Sequence, residues 1–286
     1  MGVCNIGKIR GLPYTWGKAC LPPQHVENPL APLAPQLVAD QLRLDYPGGV
    51  TALRDLTLRV PAGQFVSVLG PSGCGKSTLL RLMGGLINSS EGILTVDGQP
   101  PSMARQRSAK MSFVFQDATL LPWRTVIGNV RLPLELLRQP AAEQQVKAIN
   151  ATELVGLAEF ATRYPRELSG GMRMRASLAR ALVTQPKVLL LDEPFGALDD
   201  ITRSQLNEDL LNLWQRNGWT AVFVTHNIAE AVFLSQRVIV MSPRPGRVVA
   251  DIPVSLPSTR NAALRASADF ARLAGEVSEQ LRKACA

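Results

Sequence analysis

Short apolar stretches separated by turn residues open the folded part of the chain and predict β-strands. Leu37–Tyr46 and Thr51–Val60 are typical of two strands joined by the Pro-Gly-Gly turn at residues 47–49. A third, largely apolar stretch, Gln64–Leu69, runs directly into glycines, which is typical of a buried strand followed by a tight loop. The fold therefore begins with a β-rich unit that leads to a buried strand.

The middle of the chain changes to a helical pattern. After Pro140, apolar residues recur at helix-like spacing, and Met172–Leu182 follows two glycines. The recurring apolar residues are Val146, Ile149, Leu154 and Leu157. We therefore predict an inserted helical subdomain over about residues 117–185.

Strand patterns return after this insert, and they predict an α/β core. Lys187–Leu191, Thr220–Val224 and Arg237–Met241 are short and apolar and are separated by helix-length segments, as in buried parallel sheets. A last amphipathic helix is predicted over Ala263–Ala284, and we expect its apolar stripe to pack on the core rather than on lipid. The stripe consists of Phe270, Leu273, Val277 and Leu281.

Length and composition indicate a compact domain without a membrane span. The 286 residues are 46% hydrophobic and 19% charged, which excludes bulk disorder. No apolar run reaches the roughly 18 residues of a span, and the N-terminus lacks the pattern of a signal peptide, so we expect a cytosolic location. Residues 1–36 contain six prolines, and we expect them to form a mobile or loosely docked extension. Residues 37–254 are interpreted as the main domain and residues 255–286 as a helical tail.

Cysteine spacing and charge exclude some sites and leave one partner class open. The four cysteines form no CxxC pair, so neither a zinc site nor a disulfide framework is predicted. The net charge of +8 is compatible with a nucleic-acid partner, but the basic residues are scattered and not interleaved with aromatics. A solvated basic surface is the favoured interpretation.

Residues 70–78, which read Gly-Pro-Ser-Gly-Cys-Gly-Lys-Ser-Thr, form a phosphate loop between a predicted strand and the helical Leu79–Met83. Glycines let backbone N–H groups surround phosphate oxygens, and the helix N-terminus adds partial positive charge. Lys76 is expected to reach the β- and γ-phosphates, and Ser77 to hold Mg²⁺. The predicted nucleotide contacts in this loop are Gly70, Pro71, Ser72, Gly73, Cys74, Gly75, Lys76, Ser77 and Thr78.

A pair of carboxylates follows a later strand, in Val188–Glu193. The apolar residues bury the strand and place Asp192 at its carboxyl edge, where it can reach the Mg²⁺ shell through water, while Glu193 can polarise an attacking water. Such a pair alone is often only a helix cap. Downstream of a phosphate loop, it favours nucleoside triphosphate hydrolysis.

Residues 168–172, Leu-Ser-Gly-Gly-Met, resemble the signature of the ATP-binding-cassette (ABC) ATPases. Over about residues 37–254 the family's features occur in order: Tyr46, the phosphate loop, Gln116, the signature, Asp192-Glu193-Pro194, Ala197-Leu198-Asp199 and Thr225-His226. The resemblance implies an α/β P-loop NTPase (RecA-like) core with an N-terminal antiparallel β subdomain and an inserted α-helical subdomain. It also implies ATP and Mg²⁺ as cofactors.

The resemblance assigns roles to the remaining candidates. Tyr46 would stack on adenine, Gln116 would contribute to Mg²⁺ binding and sense the γ-phosphate, and His226 would position the water of Glu193. The signature residues Ser169, Gly170 and Gly171 would face ATP held by a second copy of the chain, with Asp199 at the seam of this homodimer. Nucleotide binding would close the dimer and hydrolysis would reopen it.

One residue departs from the family pattern. The signature is followed by Met172-Arg173-Met174-Arg175, in which Met174 stands where a subgroup of the family has Gln. We expect Met174 to remove a polar contact near the start of the helix and to alter affinity or coupling, with activity retained.

Within the family, a transport ATPase is favoured over other classes. Only 53 positions separate Gln116 from Ser169, and this segment has no continuous heptad repeat. It therefore lacks the coiled-coil arm that chromosome-structure relatives insert here. Residues 120–126 and 241–247 resemble the subgroup serving nitrate, sulfonate and taurine import. The implied protein is the ATPase of an importer at the cytoplasmic face of the inner membrane, with a separate permease and, indirectly, an extracytoplasmic solute-binding protein.

Two alternatives remain open. One is a soluble ABC-type ATPase that acts on a cytosolic or nucleic-acid partner, and the other is a nucleotide-dependent structural dimer with negligible turnover. Trp123 and the apolar residues of Thr125–Leu137 fit packing within the helical insert and contact with a permease equally well.

Overall fold

The computed structural model describes residues 35–108 and 111–285. Most of the Pro-rich extension predicted over residues 1–36 therefore lies outside the described residues. The strands are β1 (Pro35–Tyr46), β2 (Val50–Pro61), β3 (Phe65–Leu69), β4 (Glu91–Val96), β5 (Met111–Val114), β6 (Val188–Asp192), β7 (Thr220–Val224), β8 (Arg237–Met241) and β9 (Val248–Pro253). The helices are α1 (Lys76–Met83), α2 (Pro101–Ser108), α3 (Val126–Leu136), α4 (Ala141–Leu154), α5 (Gly170–Leu182), α6 (Asp200–Asn217), α7 (Ile228–Leu234), α8 (Ala262–Arg265) and α9 (Ala268–Cys285).

The predicted β-rich entry is an antiparallel sheet of three strands in the order β2-β1-β4. Along β2, buried Leu56, Leu58 and Val60 alternate with more exposed neighbours, because successive side chains of a strand point to opposite faces. β4 was not predicted from the sequence. Its first three residues are exposed, and it therefore lacks the apolar signal of a core strand.

The main sheet has the order β5-β6-β7-β3-β8-β9, in which β9 pairs antiparallel with β8 and the other pairs are parallel. β3, β6 and β7 are buried along their whole length, as expected when helices cover both faces of a parallel sheet. The carboxyl ends of these three neighbouring strands meet at one edge. The phosphate loop, the carboxylate pair and His226 each follow one of them, so the topology alone brings them together.

The predicted helical insert is present as α3, α4 and α5, which pack on one another. The helix predicted from the spacing of Val146, Ile149 and Leu154 is α4, but these three side chains are exposed. The helix instead buries Ala148, Ala151 and Thr152, whose small side chains let it approach its neighbours closely. Leu157 is buried but follows the end of the helix.

The C-terminal tail packs on the core, as its apolar stripe predicted. Phe270, Leu273 and Val277 are buried and Leu281 packs partly buried against the same core. The tail forms two helices rather than one continuous helix. Ser267 Oγ accepts a hydrogen bond from the backbone N–H of Phe270 at 3.2 Å, which caps the start of α9 and separates it from α8.

No helix within residues 35–108 and 111–285 combines the length and the apolar character needed to cross a bilayer.

Candidate active site

The phosphate loop joins β3 to α1 and curls around a cavity. The helix begins at Lys76, three residues earlier than the helical stretch predicted at Leu79. Gly73 and Gly75 have φ values of 75° and 107°, in the left-handed region that favours glycine. A Cβ atom at Gly75 would also lie 2.8 Å from Cδ2 of Leu53, so this position requires glycine for space as well as conformation.

The cavity has a volume of about 260 Å³ and lies at the N-terminus of α1, where backbone N–H groups favour anions. It brings together the predicted phosphate loop and Glu193. The lining residues are Ala52, Ser72, Gly73, Gly75, Lys76, Ser77, Thr78, Glu193 and Arg244. The sequence did not predict Ala52 or Arg244 as part of this site.

Lys76 provides a buried cation at the floor of the loop. Its Nζ donates to the carbonyl oxygens of Gly70 at 2.9 Å and of Pro71 at 3.0 Å. The ammonium is thereby held by the same loop that would bind phosphate. Phosphate oxygens are stronger, charged acceptors for it than these neutral carbonyls.

Ser77 and Asp192 form a paired oxygen site beside the loop. Ser77 Oγ donates to Asp192 Oδ1 at 2.8 Å, and Asp192 is only 8% exposed at the end of β6. Burial raises the pKa of Asp192, opposed by the Ser77 hydrogen bond and reinforced by the nearby charge of Glu193. A bound cation would relieve this cost by stabilising the ionised carboxylate.

The oxygen donors of this pair fit Mg²⁺, which prefers hard oxygen ligands and often takes only one or two from protein. Within the described part of the chain, no cluster of three or more His, Cys, Asp or Glu side chains could hold a metal. Water and phosphate oxygens would therefore have to supply the rest of the coordination shell.

Glu193 and His226 are hydrogen-bonded, with 2.9 Å between Oε2 and Nδ1. The two residues follow the adjacent strands β6 and β7, and the backbone N–H of Glu193 donates to the carbonyl of Val224 at 2.9 Å. Glu193 has a φ of 44°, an uncommon conformation for a residue with a side chain. The pairing leaves the imidazole a second nitrogen for hydrogen bonding to another group.

Tyr46 lies at the end of β1, next to the phosphate loop. Its hydroxyl shares a hydrogen bond of 3.2 Å with Thr78 Oγ1, and the side chain is partly exposed. The predicted aromatic residue is therefore beside the loop.

The structure does not bring Gln116 to this cavity. Gln116 follows β5, which pairs with β6 and is the edge strand of the sheet among the described residues, and its side chain is exposed. Among the described residues, Gln116 has no hydrogen bond to Ser77 or Asp192, and it is absent from the cavity lining. Its role toward Mg²⁺ and the γ-phosphate stays a prediction.

The signature residues lie at the start of α5 and pack against the start of α6. Ser169 Oγ accepts from the backbone N–H of Met172 at 3.3 Å. A Cβ atom at Gly170 would lie 3.2 Å from Cδ2 of Leu198, and one at Gly171 would lie 2.6 Å from Cγ2 of Thr202. The two glycines therefore permit the close approach of these two segments.

Asp199 forms the N-cap of α6. Its Oδ1 accepts from the backbone N–H of Thr202 at 2.9 Å, and this bond lowers the pKa of the exposed carboxylate. In the described chain neither Asp199 nor the signature lines the phosphate-loop cavity. One chain therefore does not join its own signature to its own phosphate loop.

Met174, which was expected to remove a polar contact near the start of the helix, is buried on α5. The structure places it in the main core at 4% exposure, among residues of the helical insert. Met174 therefore packs as an ordinary apolar residue, and its influence on affinity or coupling stays a prediction.

A phosphate loop, a buried carboxylate and a Glu–His pair, at the carboxyl edge of a parallel sheet, define a phosphate-loop nucleoside triphosphatase. The family model for ABC transporters matches residues 53–196. The chain belongs to this family, and the resemblance predicted from the motifs is confirmed. It is an ABC ATPase that binds ATP.

Curated relatives include proteins of two import systems. The chain is 46% identical over 237 residues to the taurine import ATP-binding protein TauB of Rhizobium johnstonii, a match that covers 81% of this chain and 89% of the relative. It is 45% identical over 214 residues to the aliphatic sulfonates import ATP-binding protein SsuB of Bacillus cereus, covering 75% and 83%. These relatives match the subgroup predicted from the sequence.

Solved structures of ABC cassettes confirm the predicted fold class. A dimeric cassette in a post-hydrolysis state bound to ADP and Pi superposes with a TM-score of 0.68 at 31% identity, covering 77% of this chain and 100% of that one. CbiO1 of Clostridium perfringens, part of the ABC transporter complex CbiONQ, gives 0.72 at 26% identity, covering 87% and 96%.

Proposed function

We propose that this chain is the ATP-hydrolysing subunit of an importer for a small organic anion such as taurine or another sulfonate. The observation that carries the proposal is the convergence of the phosphate loop, Asp192 and the Glu193–His226 pair at one sheet edge. The similarity to taurine and sulfonate import proteins over most of the chain supports the choice of solute class. Nitrate, a small inorganic anion that the sequence also suggested, is the further candidate solute.

The side chains assigned to the site account for each step of ATP hydrolysis. Lys76 and the N-terminus of α1 bind the phosphates, and Glu193 accepts a proton from water as the water oxygen bonds to the γ-phosphorus. The bond from this phosphorus to the bridging oxygen breaks, which gives ADP and inorganic phosphate. His226 holds the Glu193 carboxylate in place. Mg²⁺, bound by Ser77 and Asp192 when present, would neutralise charge on the phosphate oxygens.

We further infer that two copies form the complete site. The signature and Asp199 lie outside the phosphate-loop cavity of their own chain, and the backbone N–H groups at the start of α5 suit an anion supplied by another chain. A solved relative with 31% identity is a dimer bound to ADP and Pi. Closure of two chains around ATP would then drive transport.

The permease contact is proposed for the surface beside residues 117–137. Val126, Val130 and Leu134 are buried within the insert, whereas Trp123 is 71% exposed. Packing within the insert thus explains Val126, Val130 and Leu134 but not the exposed Trp123. We assign Trp123 to contact with a helix of the permease. This contact would hold the chain at the cytoplasmic face of the inner membrane, where an extracytoplasmic binding protein would deliver the solute to the permease.

Reconstitution with the permease and binding protein in lipid vesicles tests the proposal. Taurine or an alkyl sulfonate should stimulate ATP turnover, and Lys76→Ala should abolish it because the phosphates lose their buried cation. A photocrosslinker at position 123 should capture the permease, whereas one at exposed Ile201 on α6 should not. The proposed importer function would be contradicted if no small anion stimulated ATP turnover and the crosslinker at position 123 captured no permease.

The alternative of a soluble ATPase with a nucleic-acid partner has the net charge of +8 as its support. It predicts salt-sensitive binding of the purified chain to nucleic acid. The importer predicts retention in membranes only when the permease is coexpressed.

A further inference from the structure

The loop between β8 and β9, residues 242–247, lies against the phosphate loop. Its Gly246 donates through the backbone N–H to the carbonyl of Ala52 at 2.9 Å and accepts from the N–H of Arg54 at 3.2 Å. A Cβ atom at Gly246 would overlap the carbonyl oxygen of Cys74. Strand β2 therefore anchors this loop, and glycine lets it approach the phosphate loop closely.

The close approach places the guanidinium of Arg244 on the phosphate loop. Nε and Nη2 of Arg244 both donate to the carbonyl oxygen of Gly73, at 3.2 Å and 3.0 Å. Arg244 also lines the cavity together with Ser72 and Thr78. It is thus a second cation at this cavity, in addition to Lys76.

We propose that Arg244 is a positioning residue for nucleotide binding, which fixes the Gly73 carbonyl and adds permanent positive charge beside the phosphates. This inference rests on the proposed ATPase function and deepens it. A carbonyl oxygen that turned toward the cavity would repel phosphate oxygens. The paired N–H groups of Arg244 occupy that oxygen, and its guanidinium stays charged at every physiological pH.

Arg247, in the same loop, provides a matched control. It forms an ion pair of 3.5 Å with Asp55 on β2 and does not line the described cavity. Substitution of either arginine by glutamine removes one unit of positive charge from the same exposed loop. A general effect of charge or of loop stability should therefore affect both variants.

The experiment measures equilibrium binding of ATP, ADP and AMP by calorimetry, together with KM and kcat for ATP. Arg244→Gln should weaken ATP binding and raise KM about tenfold, because it removes the charged donors from the Gly73 carbonyl and the positive charge beside the phosphates. kcat at saturating ATP should change less than about twofold, because Arg244 contacts neither Glu193 nor His226. The loss should be smaller for ADP and smallest for AMP. Arg244→Lys, which retains charge and one donor, should fall between Gln and the parent.

Arg247→Gln should bind all three nucleotides like the parent protein. ATP binding by Arg244→Gln within twofold of the parent would overturn the proposal. Equal losses in the Arg244→Gln and Arg247→Gln variants would overturn it as well. A failure of the underlying ATPase function gives a different result. The parent protein would then bind no ATP, or would bind ATP in a way that Lys76→Ala does not abolish.

Discussion

The contact between the signature helix and α6 predicts a coupled pair of substitutions. Gly171 is buried one position inside α5, and a methyl group there would lie 2.6 Å from Cγ2 of Thr202. Gly171→Ala introduces this overlap, whereas Thr202→Ser removes the methyl group in question and keeps the hydroxyl. The double variant therefore restores the space that the first substitution fills.

The expected free energies follow from these contacts. Alanine in place of glycine stabilises a helix by about 1 kcal/mol, whereas an overpacked buried contact costs about 1–3 kcal/mol. Gly171→Ala alone should thus be neutral or destabilising by up to about 2 kcal/mol. With Thr202→Ser the overlap disappears and the helical gain remains, so the coupling energy should equal the relieved overlap cost of about 1–3 kcal/mol.

Urea denaturation of the parent, both single variants and the double variant gives this coupling energy directly. Midpoint shifts at constant m-value report the change in the free energy of unfolding. The reasoning is refuted if the two substitutions are additive within error, because the serine would then give no relief. It is also refuted if Gly171→Ala alone stabilises the protein by the full helical gain, since the overlap would then have no cost.

Two further predictions concern buried charged groups. Arg260 donates through Nη1 to the carbonyls of Val232, Phe233 and Ser235 at the end of α7, and its burial lowers its pKa to about 10. Arg260→Met should lower the free energy of unfolding, measured by urea denaturation, by about 3 kcal/mol. Arg272→Met, at an exposed position, is the neutral control. Burial raises the pKa of Asp192, so the folded protein binds this proton more tightly than the unfolded chain, and stability falls as pH rises above the ordinary value of 3.8. Asp192→Asn should accordingly melt higher than the parent at pH 7 without nucleotide and lose Mg²⁺-dependent hydrolysis; a lower melting temperature would contradict the assigned cost of burying this charge.

The elements that sequence patterns predicted well are those with a continuous signal. β7 and β8 were predicted with their observed bounds because short runs of buried apolar residues are flanked by polar ones. β9 was missed because its residues are mostly exposed or half-buried at a sheet edge. In α4, spacing predicted a helix, but small residues rather than the larger ones face the core, a choice decided by the neighbouring helices.

The site shows the same division between local and distant information. Lys76, Ser77, Asp192 and Glu193 belong to contiguous motifs whose spacing carries the chemistry. Arg244 contacts Gly73 across 171 positions, because β8 pairs in parallel with β3 and the loops that follow these two strands leave the same edge of the sheet. The sequence could identify residues 241–247 as a family feature, but not that this loop touches the phosphate loop.

The central claim is that two copies of this chain enclose ATP between the phosphate loop of one and the signature of the other. Glu193→Gln should bind ATP but lack the base that activates water, so the closed dimer should accumulate. Light scattering on this variant with ATP and Mg²⁺ tests the claim most directly, with Lys76→Ala as the control that binds no nucleotide. A mass of two chains for Glu193→Gln, and of one chain for the control, is the predicted result. A Glu193→Gln protein that binds ATP and remains a monomer, alone and with its permease, would contradict the account.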